Sequence, residues 1–227
     1  MLPLPRMRRC CSILSIVGLA LALPHRGAAG EPDGHASGVI SAPAPSGPCR
    51  VRSASDSPRG LMRRFRESYE CGDIANYARL FTLDFRFLSN DPSFLEAHPN
   101  GLDRDEEIEV ARHMFDGFTR ADGTHEPLAV RIELQMDPLT VLVDRDVDGP
   151  PERWQVVTSE DVRLLVDRGG GAEIVTIGDR HEFHIVRGEG ASLGADQRGD
   201  ADHWYIWKWV EHVNLESAWG TIRALYR

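Results

Sequence analysis

Cysteine is scarce in this chain, lysine scarcer still, and apolar runs of membrane-spanning length are missing. The four cysteines are Cys10, Cys11, Cys49 and Cys71, a spacing that excludes a metal site built on cysteine. Lys208 is the single lysine among 26 basic residues, a bias from which no function follows. The apolar run 10–23 holds 14 residues, short of the roughly 20 that a transmembrane helix needs, and no other stretch approaches that length. The chain also lacks a Ser-His-Asp order, a phosphate-binding glycine loop and an HExxH motif, the signatures of common hydrolase, nucleotide and zincin chemistry. Positive charge is in deficit, the formal net charge being −9. An acidic surface repels phosphate backbones and anionic lipid, so neither nucleic acid nor a membrane surface is an expected partner.

What is present divides the 227 residues into three stretches. Met7-Arg8-Arg9, the apolar run and the small residues up to Gly30 have the charged, apolar and cleavable parts of a secretory signal peptide over 1–30. Export to a periplasm or the exterior is therefore expected, with no membrane span after cleavage. Removal of this segment takes away four arginines and no acid, which moves the formal charge from −9 to −13. Residues 31–57 are rich in Pro, Gly, Ala and Ser and read as a flexible tether. The folded domain is expected over 58–227, as a core of 58–211 plus a C-terminal extension. In an oxidising compartment Cys49 and Cys71 are a candidate disulfide pair, although two cysteines carry no spacing code.

Within the domain, Leu61, Phe65 and Tyr69 recur every four residues beside Met62, with Arg63, Arg64, Arg66, Glu67 and Glu70 on the other side, so a core-facing helix is predicted. Gly72 can end it and Asp73 can cap a second helix with the stripe Ile74, Tyr77 and Phe81. Phe85 and Phe87 then switch to the two-residue period of a strand. Asp103 and Glu106 form a capping-box pattern, opening a third helix whose buried face is Ile108, Ala111 and Phe115. Strand patterns follow: Val130, Ile132, Leu134 and Met136 alternate with polar residues, and further strands are predicted over 154–166, 173–186 and 203–210. Ser159-Glu160-Asp161 marks a bend in the first of these. The last strand, HWYIWKWV, is apolar on both faces if it alternates strictly, with Tyr205, Trp207 and Trp209 on one side and Trp204, Ile206 and Val210 on the other. Helices followed by antiparallel strands make an α+β pattern.

This order, carried most sharply by ECGDIANYARLFTLDFRF and HWYIWKWVEH, resembles the NTF2-like superfamily, the cone fold shared with ketosteroid isomerase and SnoaL-type polyketide cyclases. The resemblance covers about 58–211 and implies three N-terminal helices packed on a strongly curved antiparallel sheet. It also implies a homodimer through the outer sheet face. The superfamily includes isomerases and dehydratases beside non-catalytic binding modules, so the residues must decide.

In the isomerase pattern a general-base aspartate precedes a proline after the first strand, and Asp91-Pro92 occupies that context, about two residues late. The matching oxyanion donor position falls on Phe65, which has no donor, leaving Tyr69 one turn further on. His181 and His184 are three apart in a strand and face opposite sides, so they do not chelate one ion together, and no metal or cofactor is expected. His184 shares a face with Glu182 and is a second candidate base. The catalytic candidates are thus Asp91, Tyr69 and His184, and the expected pocket lining is Phe65, Tyr69, Tyr77, Trp154, His184 and Trp207. The primary expectation is a module that binds a small apolar ligand or a partner without catalysis. The alternatives are an isomerase or dehydratase using one of these bases, and a structural assembly domain whose cone is filled by its own side chains.

Overall fold

The computed structural model describes residues 49–169 and 173–213. The expected signal peptide, most of the tether and the tail from residue 214 lie outside the described residues.

Local chemistry sets the helices. Ser57 caps α1 (Pro58–Glu70) by accepting from Gly60 N, and Pro58 stands at its first turn, where a missing N–H costs nothing. Leu61, Met62, Phe65 and Tyr69 are its buried stripe. Gly72, at φ +60°, reverses the chain. Asp73 then caps α2 (Ile74–Ala78) through Asn76 N. This helix is shorter than the predicted stripe, because Phe81 already begins strand β1 (Phe81–Ser89). The segment expected as a loop after β1 holds a further helix, α3 (Pro92–Ala97), capped by Asp91, and the two-residue strand β2 (Leu102–Asp103). Asp103 and Glu106 form a reciprocal capping box at the start of α4 (Arg104–Asp116).

The strands are β3 (Phe118–Thr119), β4 (His125–Glu126), β5 (Arg131–Gln135), β6 (Leu139–Val143), β7 (Trp154–Asp167), β8 (Glu173–Arg187) and β9 (Trp204–His212). β3 and β4 form a small hairpin. The main sheet runs β2-β1-β9-β8-β7-β5, with β6 on the same edge of β7 as β5 but further along it. Every pairing but one is antiparallel, as the sequence predicts for this sheet; the exception is β1, which runs parallel to β9. β7 and β8 slip register between Ser159 and Val162, where the sequence predicts a bend. A second slip pairs His184 with Lys208 and Ile185 with Ile206, which leaves Trp207 as an extra residue in β9.

That extra residue overturns the expected faces of β9. Strict alternation puts Trp207 and Trp209 together; instead Trp204, Ile206 and Trp209 join the core, while Trp207 stands against Trp154 and His184. The helices cover the inner face, α1 lying against β5 and α4 against β1. Cys49 and Cys71 form a disulfide with a Cα–Cα distance of 5.3 Å. Glu67 accepts from Arg52 N, Ser53 N and Ser53 Oγ, and Ser55 O receives Trp204 N at 2.8 Å. Residues 49–57, which the sequence assigns to the tether, are therefore tied to the folded domain. Among the described residues no helix is long and apolar enough to cross a membrane.

Candidate functional site

The six expected pocket residues do not meet in one place. Phe65, Tyr69 and Tyr77 point inward and are at most 2% exposed. The Phe65 ring lies 5.3 Å from both Phe183 and Trp209 and 5.7 Å from Tyr77. Phe87 and Phe183 each stand 5.1 Å from Trp209. These spacings are those of interlocked aromatic packing, and the rings fill the place where the resemblance puts a ligand. Polar groups among them pair with one another: Tyr77 Oη donates to Glu107 Oε1 at 2.7 Å, and Trp209 Nε1 donates to His181 Nδ1 at 2.9 Å.

Asp91 lies elsewhere, at the junction of β1 and α3. Burial raises the pKa of its carboxyl, but the hydrogen bonds from Ser93 and Phe94 outweigh this and hold it below the usual carboxylate range. Its Oδ1 accepts from Ser93 N at 2.7 Å, Ser93 Oγ at 2.6 Å and Phe94 N at 3.0 Å. An ionised helix cap with three donors on one oxygen is poorly suited to abstract a proton. The Asp91-Pro92 pair that the isomerase resemblance offers as a base is equally a helix-start signal, and here Asp91 caps α3.

The other three residues, Trp154, His184 and Trp207, converge on the outer face. The rings of Trp154 and His184 each lie 5.7 Å from Trp207. Alternation along β8 explains the split: Phe183 and Ile185 enter the core, which turns Glu182 and His184 outward. There the chain from β6 brings up Asp144, whose Oδ2 stands 2.7 Å from His184 Nδ1. The two side chains are 1% and 3% exposed. Asp144 Oδ1 accepts from Asp146 N at 2.9 Å, which fixes the turn that follows. Burial pushes the His184 imidazole below its ordinary pKa, while the Asp144 hydrogen bond pulls it the other way and the Lys208 ammonium adds to the lowering.

A neutral imidazole donating Nδ1–H to Asp144 presents a free lone pair at Nε2. That atom makes no hydrogen bond among the described residues and lies 3.9 Å from Glu182 Oε2. Beside it opens a pocket of about 630 Å³, with Leu142, Val143 and Val156 apolar and Glu182, Arg180 and His184 polar. Arg180 and His212 hold Glu182 from the other side, at 2.6 and 3.5 Å. Lys208 Nζ reaches to 3.8 Å from Asp146 Oδ2 and sits 4.9 Å over the Trp207 ring.

Asp144 and Asp146 were missed from the sequence because Asp-Arg-Asp-Val-Asp-Gly reads as a hairpin turn. Its spacing, Asp144-x-Asp146-x-Asp148-Gly149, is also the first half of a calcium-loop pattern, and that signal alone pointed to them. The twelfth position of such a loop falls on Gln155, where the pattern wants a bidentate glutamate. The cation-capable group in the structure is instead Asp144, Asp146 and His184, whose ligand atoms all lie within 4.8 Å of one another.

No protein-family model and no curated protein matches this sequence. Similar solved structures include a conserved protein of Planctomyces limnophilus, 14% identical over 69% of this chain and 92% of that one, with a TM-score of 0.45. An NTF2-like protein of unknown function in nutrient uptake from Rhodospirillum rubrum is 16% identical over 70% and 100% of the two chains, with a TM-score of 0.41. A candidate dehydratase of the NTF2-like family from Streptomyces avermitilis is 15% identical over 68% and 91%, with a TM-score of 0.43. Likeness at this level says nothing of substrate or activity. The element order, with helices on the inner face of a bent sheet that ends in a Trp-rich strand, makes the described domain an α+β domain of NTF2-like fold.

Proposed function

We propose that this domain is a small-ligand-binding module without catalysis, and that its site is the outer-face pocket beside His184 instead of the cone interior. The observation that carries this reading is the contrast in occupancy: aromatic rings pack the interior, whereas about 630 Å³ stands open next to His184. Leu142, Val143 and Val156 give the pocket an apolar wall, and its other lining groups, among them Asp144, Arg180, Glu182 and His184, are polar, which suits a small ligand that carries polar groups of its own. The test is ligand-observed NMR of the full chain against a fragment library. Val156→Trp, which fills the pocket, should abolish the hits; retention of the hits would refute the reading.

A proton-transfer role is the second reading, favoured by the buried Asp144–His184 pair at 2.7 Å. In that case the base is His184, positioned by Asp144, and Asp91 has no part. Solvent-deuterium incorporation next to the carbonyl of a panel of ketones would be lost in His184→Gln and kept in Asp91→Asn. Loss in both, or in neither, would remove it.

The interaction-module reading rests on the same face, where Leu142 and Val143 are 57% and 47% exposed. A homodimer closed over them would be seen by light scattering and would dissociate in a Leu142→Glu variant. Export is supported by the Cys49–Cys71 disulfide, since such bonds persist in oxidising compartments. Cell fractionation with and without residues 1–30 tests it.

A further inference from the structure

We propose that Asp144, Asp146 and His184 bind a divalent cation of the zinc or manganese kind at the edge of the outer-face pocket. The inference deepens the reading of that pocket as the binding site and rests on it for location only.

Two carboxylates and an imidazole offer one ligand atom each within 4.8 Å of one another, a span that a single ion can draw together. A mixed oxygen and nitrogen donor set suits zinc or manganese, whereas calcium and magnesium prefer oxygen alone. Two of the three groups are built into the fold and not merely close on a surface. Asp144 and His184 are 1% and 3% exposed, and His184 is held on a central strand between β7 and β9. The third ligand, Asp146, is 71% exposed at the open side. Three protein ligands leave coordination positions free toward the pocket, as in metal sites that also take a water or a ligand.

Chemically, the cation takes the place of a proton. The 2.7 Å contact between Asp144 Oδ2 and His184 Nδ1 is closed by the imidazole N–H; an ion ligated at Nδ1 takes the place of that hydrogen, and the neutral ring keeps its single proton by carrying it at Nε2, so no proton is released to solvent. The opposing charge is Lys208, whose ammonium is 3.8 Å from Asp146 Oδ2 and competes with the ion for that carboxylate.

The experiment is calorimetric titration of the full chain, stripped with a chelator and dialysed, with Zn²⁺ and then Mn²⁺, in two buffers of different ionisation enthalpy. One strong site per chain is expected, with a binding heat that is the same in both buffers because no net proton is released. His184→Gln and Asp146→Asn should each weaken it by about tenfold or more, Lys208→Met should strengthen it, and Asp148→Asn should leave it unchanged, because Asp148 is outside the group. If His184→Gln fails to fold by near-UV circular dichroism, the exposed Asp146→Asn decides alone. Absence of a strong site, or unchanged wild-type affinity in the His184 and Asp146 variants, overturns the proposal. Ca²⁺ binding that needs Asp148 but not His184 also overturns it, in favour of a calcium loop.

The pocket reading is tested apart from the metal. Val156→Trp removes none of the three ligands, so it should lose fragment hits and keep Zn²⁺. Fragment hits without any Zn²⁺ site sink the metal proposal alone. Zn²⁺ binding with fragment hits that survive Val156→Trp sinks the pocket reading alone.

Discussion

The two faces of β8 and β9 are built from the same strands and adjacent residues, yet they do opposite things. Inward, Phe183 and Trp209 complete an aromatic cluster with Phe65 and Phe87. Outward, one residue along β8, His184 pairs with Asp144 beside an open pocket. Tight interiors leave no space for a second molecule, which is why the proposed site lies on the outer face, where space stands open beside His184. The bulge at Trp207 is the device that separates the faces. It keeps Trp209 inside, and it turns Trp207 toward Trp154 and His184.

The contrast can be broken from the inside first. Trp209→Ala should cost about 3–5 kcal/mol, because Trp209 is 1% exposed and its ring touches Phe65, Phe87 and Phe183. Trp207→Ala, half-buried on the outer face, should cost about 1 kcal/mol. Urea unfolding of both variants measures the pair, and equal losses would mean that the outer face is packed as the inner one is. Opening the Cys49–Cys71 bond with a double serine replacement releases a link spanning 22 residues and should cost about 3 kcal/mol in the same assay. That change should leave fragment binding at the outer pocket intact.

Smaller effects sharpen the assignment of Asp91. Asp91→Ala should lose about 1 kcal/mol as a missing helix cap, and Asp91→Asn less, since asparagine still caps. Because the folded carboxyl titrates below the unfolded value of about 3.9, its charge stabilises fully above that pH, and the contribution is lost as pH falls through the folded value. The stability gap between wild type and Asp91→Asn should therefore narrow between about pH 5 and about pH 2, followed by thermal melts. A gap that widens toward acid would show that Asp91 is held protonated, as a general base with a raised pKa would be.

Locally encoded features were legible in the sequence. The Leu61-Phe65-Tyr69 stripe and the Asp103–Glu106 capping box depend on residues within two turns of one another, and the structure contains both. So does the alternation of Ile132 and Leu134 in β5. The parallel pairing of β1 with β9 joins strands more than a hundred residues apart, which no local period reports. The β9 bulge escaped for a related reason: every residue from Trp204 to Trp207 is apolar, so a slip leaves no mark on the pattern. The site itself needs the turn after β6, the outward face of β8 and Lys208 of β9 together. His184 stood out as a candidate, but its partner Asp144 lay forty residues away in what read as a turn.

The most direct test of an outer-face site beside a filled interior is a paired perturbation of the full chain read by ligand-observed NMR with one fragment set. Val156→Trp closes the outer pocket, and Phe65→Leu makes space among the inner rings. The expected result is that binding disappears in Val156→Trp and persists in Phe65→Leu. Binding that persists in Val156→Trp but is altered by Phe65→Leu would put the ligand inside the cone and contradict the reading.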